Sequence, residues 1–147
     1  MKIVTTKSEN ASILRQTMPE FDFSAHSPKE IKEVVKEMRK IMKLDGGVGL
    51  SANQVGLDWR MFVAQHRNNF YAIFNPVITK FSKGQIMMEE GCLSLPEVFR
   101  DIKRPESIVI EGYDQNGRKL KIRAGGTMAR IFQHELDHLN GKLIIDF

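Results

Sequence analysis

The most constraining feature of this sequence is a helix near its end that carries His134-Glu135-Leu136-Asp137-His138. We predict this helix over about Thr127 to Asn140, with Gly141 just beyond it, where a left-handed residue often ends a helix. Histidines four residues apart lie on one side of a helix, so both imidazoles can bind one ion. The pattern therefore indicates a metal site on a helix that the rest of the chain must pack against.

Glu135 lies on the apolar side of the same predicted helix. It is about 100° round from His134, within a stripe formed by Met128, Ile131, Phe132 and Leu139. A carboxylate directed into a core is unfavourable unless it has a partner, and a metal-activated water would be one. This is the arrangement of a hydrolytic general base. The alternative is a chance match of surface histidines with a glutamate, and the placement of Glu135 favours the metal site.

The third metal ligand must come from earlier in the chain. A catalytic site of this type usually has three protein ligands and one open position. Too few residues follow His138 for a distant glutamate ligand, and Ile144 occupies the place of the third histidine in the metzincin pattern. The remaining candidates are Cys92, His26, His66 and the carboxylates, and the two histidines lie in polar stretches typical of a surface.

Cys92 is the candidate that we favour, because it follows Gly91 just after a predicted strand. The conformational freedom of that glycine could present a thiolate and the next N–H groups to a site. Two other interpretations stay open. A lone cysteine is commonly a small buried apolar residue, and a cysteine can also be a nucleophile paired with a histidine. A thiol hydrolase, however, would not need two histidines at helical spacing.

Length and composition indicate one soluble globular domain over residues 1–147. The chain is 41% hydrophobic and 27% charged, with a net charge of +4. We find no apolar run near the ~20 residues of a membrane span and no targeting segment. The basic residues are dispersed, which argues against specific nucleic-acid recognition. The single cysteine cannot form an internal disulfide, so we expect a reducing cytoplasm.

Hydrophobic periodicity predicts an α+β fold in which antiparallel strands pack around the C-terminal helix. An N-terminal amphipathic helix is predicted from Pro28 to Lys43, with Ser27 as its N-cap and Glu30 completing a capping box. Between the helices the strand candidates are Arg60–Gln65, Tyr71–Ile78, Gln85–Met88, Ser107–Tyr113 and Lys119–Arg123. The last two read as a hairpin with a turn at Asp114–Gly117.

A glycine-rich segment, Gly47–Gln54, connects the first helix to these strands. It superficially matches a dinucleotide-binding fingerprint, but it follows a helix rather than a strand and lacks the expected acidic residue ~20 positions later. We predict a connecting loop. Its backbone could approach a substrate closely, with Gln54 offering amide donors.

Three segments together resemble the signature motifs of the peptide deformylase family. The family motif G-x-G-L-A-A-x-Q is matched at Gly47–Gln54, E-G-C-L-S at Glu90–Ser94 and Q-H-E-x-D-H at Gln133–His138. The motifs stand in the family's order and spacing. Asn75-Pro76 and Leu95-Pro96-Glu97 are also similar to the family, so the resemblance covers most of the chain.

The resemblance implies an enzyme that removes the N-formyl group from the initiator methionine of new polypeptides and releases formate. It implies metal ligation by Cys92, His134 and His138, with Glu135 as general base and acid. Gln54 and the backbone N–H of Leu93 would bind the developing oxyanion. The family's usual physiological metal is Fe(II), with zinc, nickel or cobalt able to occupy the site, whereas the donor set alone would suggest zinc.

Further expectations concern substrate and partners. Gly47, Val48, Gly49 and Ile131 are our candidates for the methionine pocket. The substrates would be N-formylmethionyl peptides and nascent chains, with weak ribosome association, in a monomer of the cytoplasm of a bacterium or a virus-infected bacterium. Ser51 stands where the family usually has alanine, a change we expect activity to survive. The chain stops at Phe147, as in short family forms that lack a C-terminal extension.

Arg130 is the residue that the resemblance explains least. It lies one turn before His134, and an unpaired guanidinium is unfavourable in a dry pocket. It could pair with a carboxylate such as Glu90, or steer acidic substrates from the rim. We favour an arginine whose stem lies on the core and whose charge reaches solvent.

Two other functions of the protein stay open: a metallopeptidase of ordinary peptide bonds and a structural metal domain.

Overall fold

The computed structural model describes residues 1–147 and contains two α-helices, α1 (Pro28–Leu44) and α2 (Gly126–Leu139). Both predicted helices are confirmed to within one residue at each end. Ser27 caps α1, and its hydroxyl accepts the Glu30 backbone N–H at 3.1 Å. The Glu30 side chain does not complete the predicted capping box; it bonds to His26 Nδ1 at 3.1 Å instead. Neither helix is both long and apolar enough to cross a lipid bilayer.

Seven strands form two antiparallel sheets, and the predicted α+β class is confirmed. The five-stranded sheet has the order β1-β2-β3-β6-β7, and β4 and β5 form a separate two-stranded hairpin. The strands are β1 (Gly49–Ser51), β2 (Met61–His66), β3 (Asn69–Phe81), β4 (Gln85–Cys92), β5 (Leu95–Pro105), β6 (Ser107–Tyr113) and β7 (Lys119–Gly125).

The structure adds two strands that the sequence did not indicate. The glycine-rich segment predicted as a loop contains β1, followed by a 3-10 helix over Ala52–Val55. Strand β5 was also missed, because it lacks an alternating apolar pattern. Its burial does not follow hydropathy, since Arg104 is as buried as the apolar residues around it. A strand buried partly through charged groups carries no periodic hydrophobic signal.

The five-stranded sheet lies between the two α-helices. In β2, Met61 and Val63 join the apolar cluster under α1, whereas Phe62 and Ala64 join the cluster under α2. Successive side chains of a strand point to opposite faces, so α1 and α2 cover opposite faces of this sheet. This explains why β2 is apolar throughout, and it places α2 between the sheet and the β4–β5 hairpin.

Two glycines confirm predicted turns. Gly141 follows α2 with φ of 74°, and a Cβ there would lie 2.5 Å from the Arg15 carbonyl oxygen. Gly117, with φ of 76°, closes the turn between β6 and β7. Within that turn the Asp114 carboxylate accepts the backbone N–H groups of Asn116 and Arg118. Both positions need left-handed backbone angles, which glycine adopts without strain.

Candidate active site

Three potential metal ligands converge from two different elements. Cys92 lies at the end of β4, and His134 and His138 lie one turn apart on α2. Cys92 Sγ is 3.2 Å from His138 Nε2, which is 3.1 Å from His134 Nε2, and the three ligand atoms all lie within 4.8 Å of one another. The predicted trio is therefore assembled, whereas His26 and His66 lie outside it.

The position of Cys92 depends on an irregularity in the hairpin. The register between β4 and β5 shifts between Gly91 and Cys92, so that Cys92 pairs with Leu95 across a tight connection. The Phe99 ring covers Gly91 so closely that a Cβ there would lie 2.9 Å from a ring carbon. A larger residue at position 91 would displace Phe99 or the strand end that presents the thiol.

Glu135 is buried beside the ligand trio, as its place in the apolar stripe predicted. One carboxylate oxygen, Oε2, accepts the Ser51 hydroxyl at 2.7 Å, and a Cβ on Gly49 would lie 2.5 Å from the other oxygen. Burial raises the pKa of Glu135, while the neighbouring His134 opposes that rise. The contact with Ser51 was missed in the sequence, where this serine read only as a small departure from the family motif.

The glycine-rich segment brings an amide to the same place. Gln54 Oε1 accepts the Ser51 backbone N–H at 2.9 Å, which fixes the orientation of the side chain. Its Nε2 then faces Ser94 Oγ at 3.1 Å and Cys92 Sγ at 3.6 Å. The backbone N–H of Leu93, between β4 and β5, donates to no group of the protein. Two N–H donors thus border the trio.

Glu90 links the trio to a buried charge network that the sequence did not reveal. Its Oε1 lies 2.8 Å from His134 Nδ1, and its two oxygens accept Arg104 Nη2 and Nε at 2.9 and 2.6 Å. Arg130 Nη1 donates to Oε2 at 2.6 Å. Burial by itself would raise the pKa of Glu90, but these three partners hold that pKa well below its usual range.

The network orients the first histidine of the motif. A carboxylate on Nδ1 leaves Nε2 of His134 directed at the other two ligand atoms, which is how metal-binding histidines are commonly supported. Burial opposes a charge on this imidazole, yet hydrogen bonds with Cys92 and Glu90 raise the pKa of His134 to about 10. Arg104 also binds Asp137 Oδ2 at 2.8 Å, so the network extends along α2.

Our expectation that the charge of Arg130 reaches solvent was wrong. The residue is only 7% exposed, and besides Glu90 it donates to the carbonyl oxygens of Ile102 and Ile86, each at 2.7 Å. The alternative pairing with Glu90 is the one that the structure has. A buried, neutralised guanidinium cannot act as a long-range steering charge at the rim.

Cys92, His134 and Glu135 line a pocket of about 690 Å³. Val48 stands at its mouth with 55% of its surface exposed, whereas Ile131 is a buried wall residue. Gly47 and Gly49 line the same side, and a Cβ on Gly47 would lie 2.8 Å from the Leu93 side chain. The absence of side chains at these two glycines therefore leaves room for Leu93 and Glu135 beside the pocket.

These features define a class of protein: a metalloenzyme whose H-E-x-x-H helix presents a buried carboxylate beside a cysteine and two histidines. The family described as Polypeptide deformylase matches residues 1–147. A peptide deformylase of Borreliella burgdorferi is 42% identical over 120 residues, which are 80% of this chain and 73% of that protein.

Solved structures agree with this match. The crystal structure of peptide deformylase from Thermotoga maritima superposes with a TM-score of 0.90 at 35% identity, covering 99% of this chain and 95% of that one. The deformylase of the Vibrio parahaemolyticus bacteriophage VP16T gives 0.87 at 35% identity, covering 98% and 100%.

The chain belongs to the peptide deformylase family. It is a metal-dependent hydrolase that removes the N-formyl group from new polypeptides.

Proposed function

We propose that Glu135 is the general base and acid of this deformylation and that Cys92, His134 and His138 hold the metal. The observation that carries the proposal is the burial of Glu135 beside three potential ligand atoms, in a wall of the pocket that Cys92 and His134 also line. A thiolate and two imidazoles are good ligands for late divalent ions. A buried carboxylate is unfavourable unless partners offset its desolvation, and a water activated by the ion would be such a partner.

Held by Cys92, His134 and His138, a divalent ion would supply Lewis acidity at this end of the pocket. Glu135 would take the proton of the attacking water and later deliver it to the leaving nitrogen. The water oxygen joins the formyl carbon, the carbon–nitrogen bond breaks, and the products are formate and a free amino terminus. The raised pKa of Glu135 helps it to hold this proton between the two steps.

Gln54 and Leu93 are the proposed oxyanion donors. The Gln54 amide is fixed by Ser51 and directed at Cys92, and the Leu93 N–H has no partner within the protein. Preorganised donors of this kind stabilise the charge that develops on the formyl oxygen. Gln54 Nε2 lies 3.6 Å from Cys92 Sγ and Leu93 directly follows Cys92, so one small oxygen beside the trio could accept from both.

We propose Fe(II) as the metal in vivo, with zinc, nickel or cobalt able to occupy the site in purified protein. The family resemblance supports iron, whereas the donor set by itself would suggest zinc. Metal analysis of anaerobically purified protein, with activity measured for each reconstituted ion, tests this assignment. Full activity with zinc and no iron in the purified protein would contradict it.

The methionine side chain is proposed to enter the pocket between the glycine-rich strand and α2, against Val48, Gly47, Gly49 and Ile131. All four line the pocket. Val48→Asp and Ile131→Asp should raise the KM for formyl-methionyl peptides, because each places a charge against an apolar side chain. Unchanged kinetics in a folded variant would remove that residue from the pocket.

The decisive test compares N-formyl- and N-acetyl-methionyl peptides with the metal-reconstituted protein. We expect formate from the first and no acetate from the second, since a formyl-selective site admits only hydrogen on the acyl carbon. Cleavage of internal peptide bonds would instead indicate a metallopeptidase. Stoichiometric metal without any hydrolysis would indicate a structural metal domain.

We further propose that residues 1–147 act as one catalytic domain, as a monomer in the cytoplasm, on nascent chains that it meets through weak ribosome association. The modest net charge of +4 supports a weak attraction to an RNA-rich partner. Co-sedimentation with translating ribosomes at low and high salt tests this association, and the molar mass in solution tests the oligomeric state.

A further inference from the structure

Arg130 forms part of the wall of the active-site pocket, one helical turn before His134. It is the only arginine or lysine among the residues that line this pocket. Its guanidinium donates to backbone carbonyl oxygens of both strands of the β4–β5 hairpin. The pocket that is proposed to bind the methionine side chain therefore has a cationic residue in its wall.

The Arg130 guanidinium has a counter-charge, but not all of its N–H groups have a hydrogen-bond partner. Glu90 compensates its charge, and the carbonyl oxygens of Ile102 and Ile86 accept two further hydrogen bonds. An arginine has more N–H donors than these three contacts use. Glu90 cannot accept more, because His134 and Arg104 already occupy its oxygens. Arg130 Nε has no partner within the protein, and it is not one of the buried polar atoms that lack a partner, so it reaches the open space beside the pocket wall.

The position of Arg130 relative to the reaction follows from the proposed function, on which this inference rests. With the formyl carbon at the ligand trio, the first side chain of the substrate is attached only two bonds further along. Its end therefore reaches about one helical turn from His134, which is the level of Arg130 and Ile131. In this arrangement the tip of the first side chain would come close to Arg130.

We propose that Arg130 is a specificity-determining residue that makes this enzyme accept first residues ending in a strong hydrogen-bond acceptor, with N-formyl-methionine sulfoxide as the substrate class. A thioether is a weak acceptor, whereas oxidation of methionine places a polar oxygen at almost the same point. The reaction is unchanged: water cleaves the formyl carbon–nitrogen bond, and the sulfur is neither oxidised nor reduced.

The test measures kcat/KM for three peptides that differ only in the first residue: formyl-methionine, formyl-methionine sulfoxide and formyl-norleucine. The unaltered enzyme should process the sulfoxide peptide within about 10-fold of the methionine peptide. In Arg130→Met the ratio of sulfoxide to methionine should fall by about 10-fold or more, the effect of one hydrogen bond to a charged group. The norleucine to methionine ratio should change little.

A matched control is Arg100→Leu, which removes an exposed arginine of the same hairpin that does not line the pocket. This variant should keep both ratios. Because each ratio is taken within one preparation, it does not depend on the fraction of protein that folds or binds metal. Glu90 also retains Arg104 in the Arg130→Met variant, so the hairpin keeps one ion pair.

Two results would overturn the inference while leaving the proposed function intact. One is a sulfoxide to methionine ratio that is equal in Arg130→Met and in the unaltered enzyme. The other is an unaltered enzyme that deformylates formyl-methionine and leaves the sulfoxide peptide intact. Failure to release formate from any of the three peptides would instead contradict the proposed function.

Discussion

Helix α2 contacts the five-stranded sheet and the β4–β5 hairpin in chemically different ways. Against the sheet it buries apolar side chains, with Phe132 packed near Phe62 at a ring-centre distance of 5.7 Å. Against the hairpin it uses charged groups, above all the contacts of Glu90 and Arg104. Apolar burial is non-directional and stabilises the fold, whereas ion pairs and hydrogen bonds depend on direction.

This difference matters because the proposed metal ligands lie partly on α2 and partly on the β4–β5 hairpin. His134 and His138 belong to α2, and Cys92 belongs to the hairpin. The charged contacts therefore hold Cys92 in position relative to the two histidines. The apolar contacts hold α2 in position on the sheet. Substitutions at the charged contact should therefore lower mainly the metal affinity. Substitutions at the apolar contact should lower mainly the free energy of unfolding.

The largest effect is expected for Cys92→Ala, which removes the only proposed ligand on the hairpin. The variant should fold but lose metal and essentially all formate release, because two imidazoles alone bind the ion weakly. Metal content after gel filtration and circular dichroism check both parts. Full metal content in this variant would show that the third ligand lies elsewhere.

Glu135→Gln should be the next most damaging change. It keeps the size of the side chain and its contact with Ser51, but it cannot accept the proton of the attacking water. We expect kcat to fall by about 10²–10⁴-fold with metal content retained. The measurement is formate release per bound metal, and near-normal turnover would remove Glu135 from the role of general base.

Glu90→Gln tests the charged contact directly. The amide cannot neutralise Arg104 and Arg130 or support His134 equally well, so metal affinity should fall by about 10–100-fold. Competition with a chelator measures this affinity. Glu89→Gln is a matched control, since Glu89 is the exposed neighbour on the same strand. An equal loss in both variants would show that the buried network has no special part in binding.

Phe132→Leu tests the apolar contact. We expect the free energy of unfolding of the metal-free protein to fall by about 1 to 2 kcal/mol, because the ring packs against Phe62 and Tyr71. Metal affinity should remain nearly unchanged. Urea denaturation and chelator competition on the same sample separate the two quantities. A loss of metal affinity as large as in Glu90→Gln would show that the charged and apolar contacts of α2 do not have separate effects.

The smallest effect is expected for Ser51→Ala, which restores the residue that the family motif has. The change removes the hydroxyl that donates to Glu135. One such hydrogen bond typically contributes about 1 kcal/mol, which corresponds to less than a factor of ten in rate. We expect kcat to change by less than about 10-fold, measured as formate release across pH. A larger loss would make Ser51 essential for positioning the base.

Local and periodic features were predictable from the sequence. The bounds of α1 and α2 follow from apolar spacing and from capping residues such as Ser27 and Gly141. The juxtaposition of His134 and His138 follows from helical geometry, and the burial of Glu135 from the apolar stripe. Each of these inferences involves residues that are close in the chain, where local geometry alone decides which side chains meet.

The sequence by itself therefore determined the two helices, the family motifs and the candidate ligands. Only the tertiary structure decided that Arg130 pairs with Glu90, 40 positions away, and that Ser51 contacts Glu135, 84 positions away. It also decided the existence of β5, whose buried Arg104 has no apolar pattern around it. The physical reason is that a polar contact between distant segments depends on strand register and side-chain direction, and neither leaves a periodic signal in one sequence.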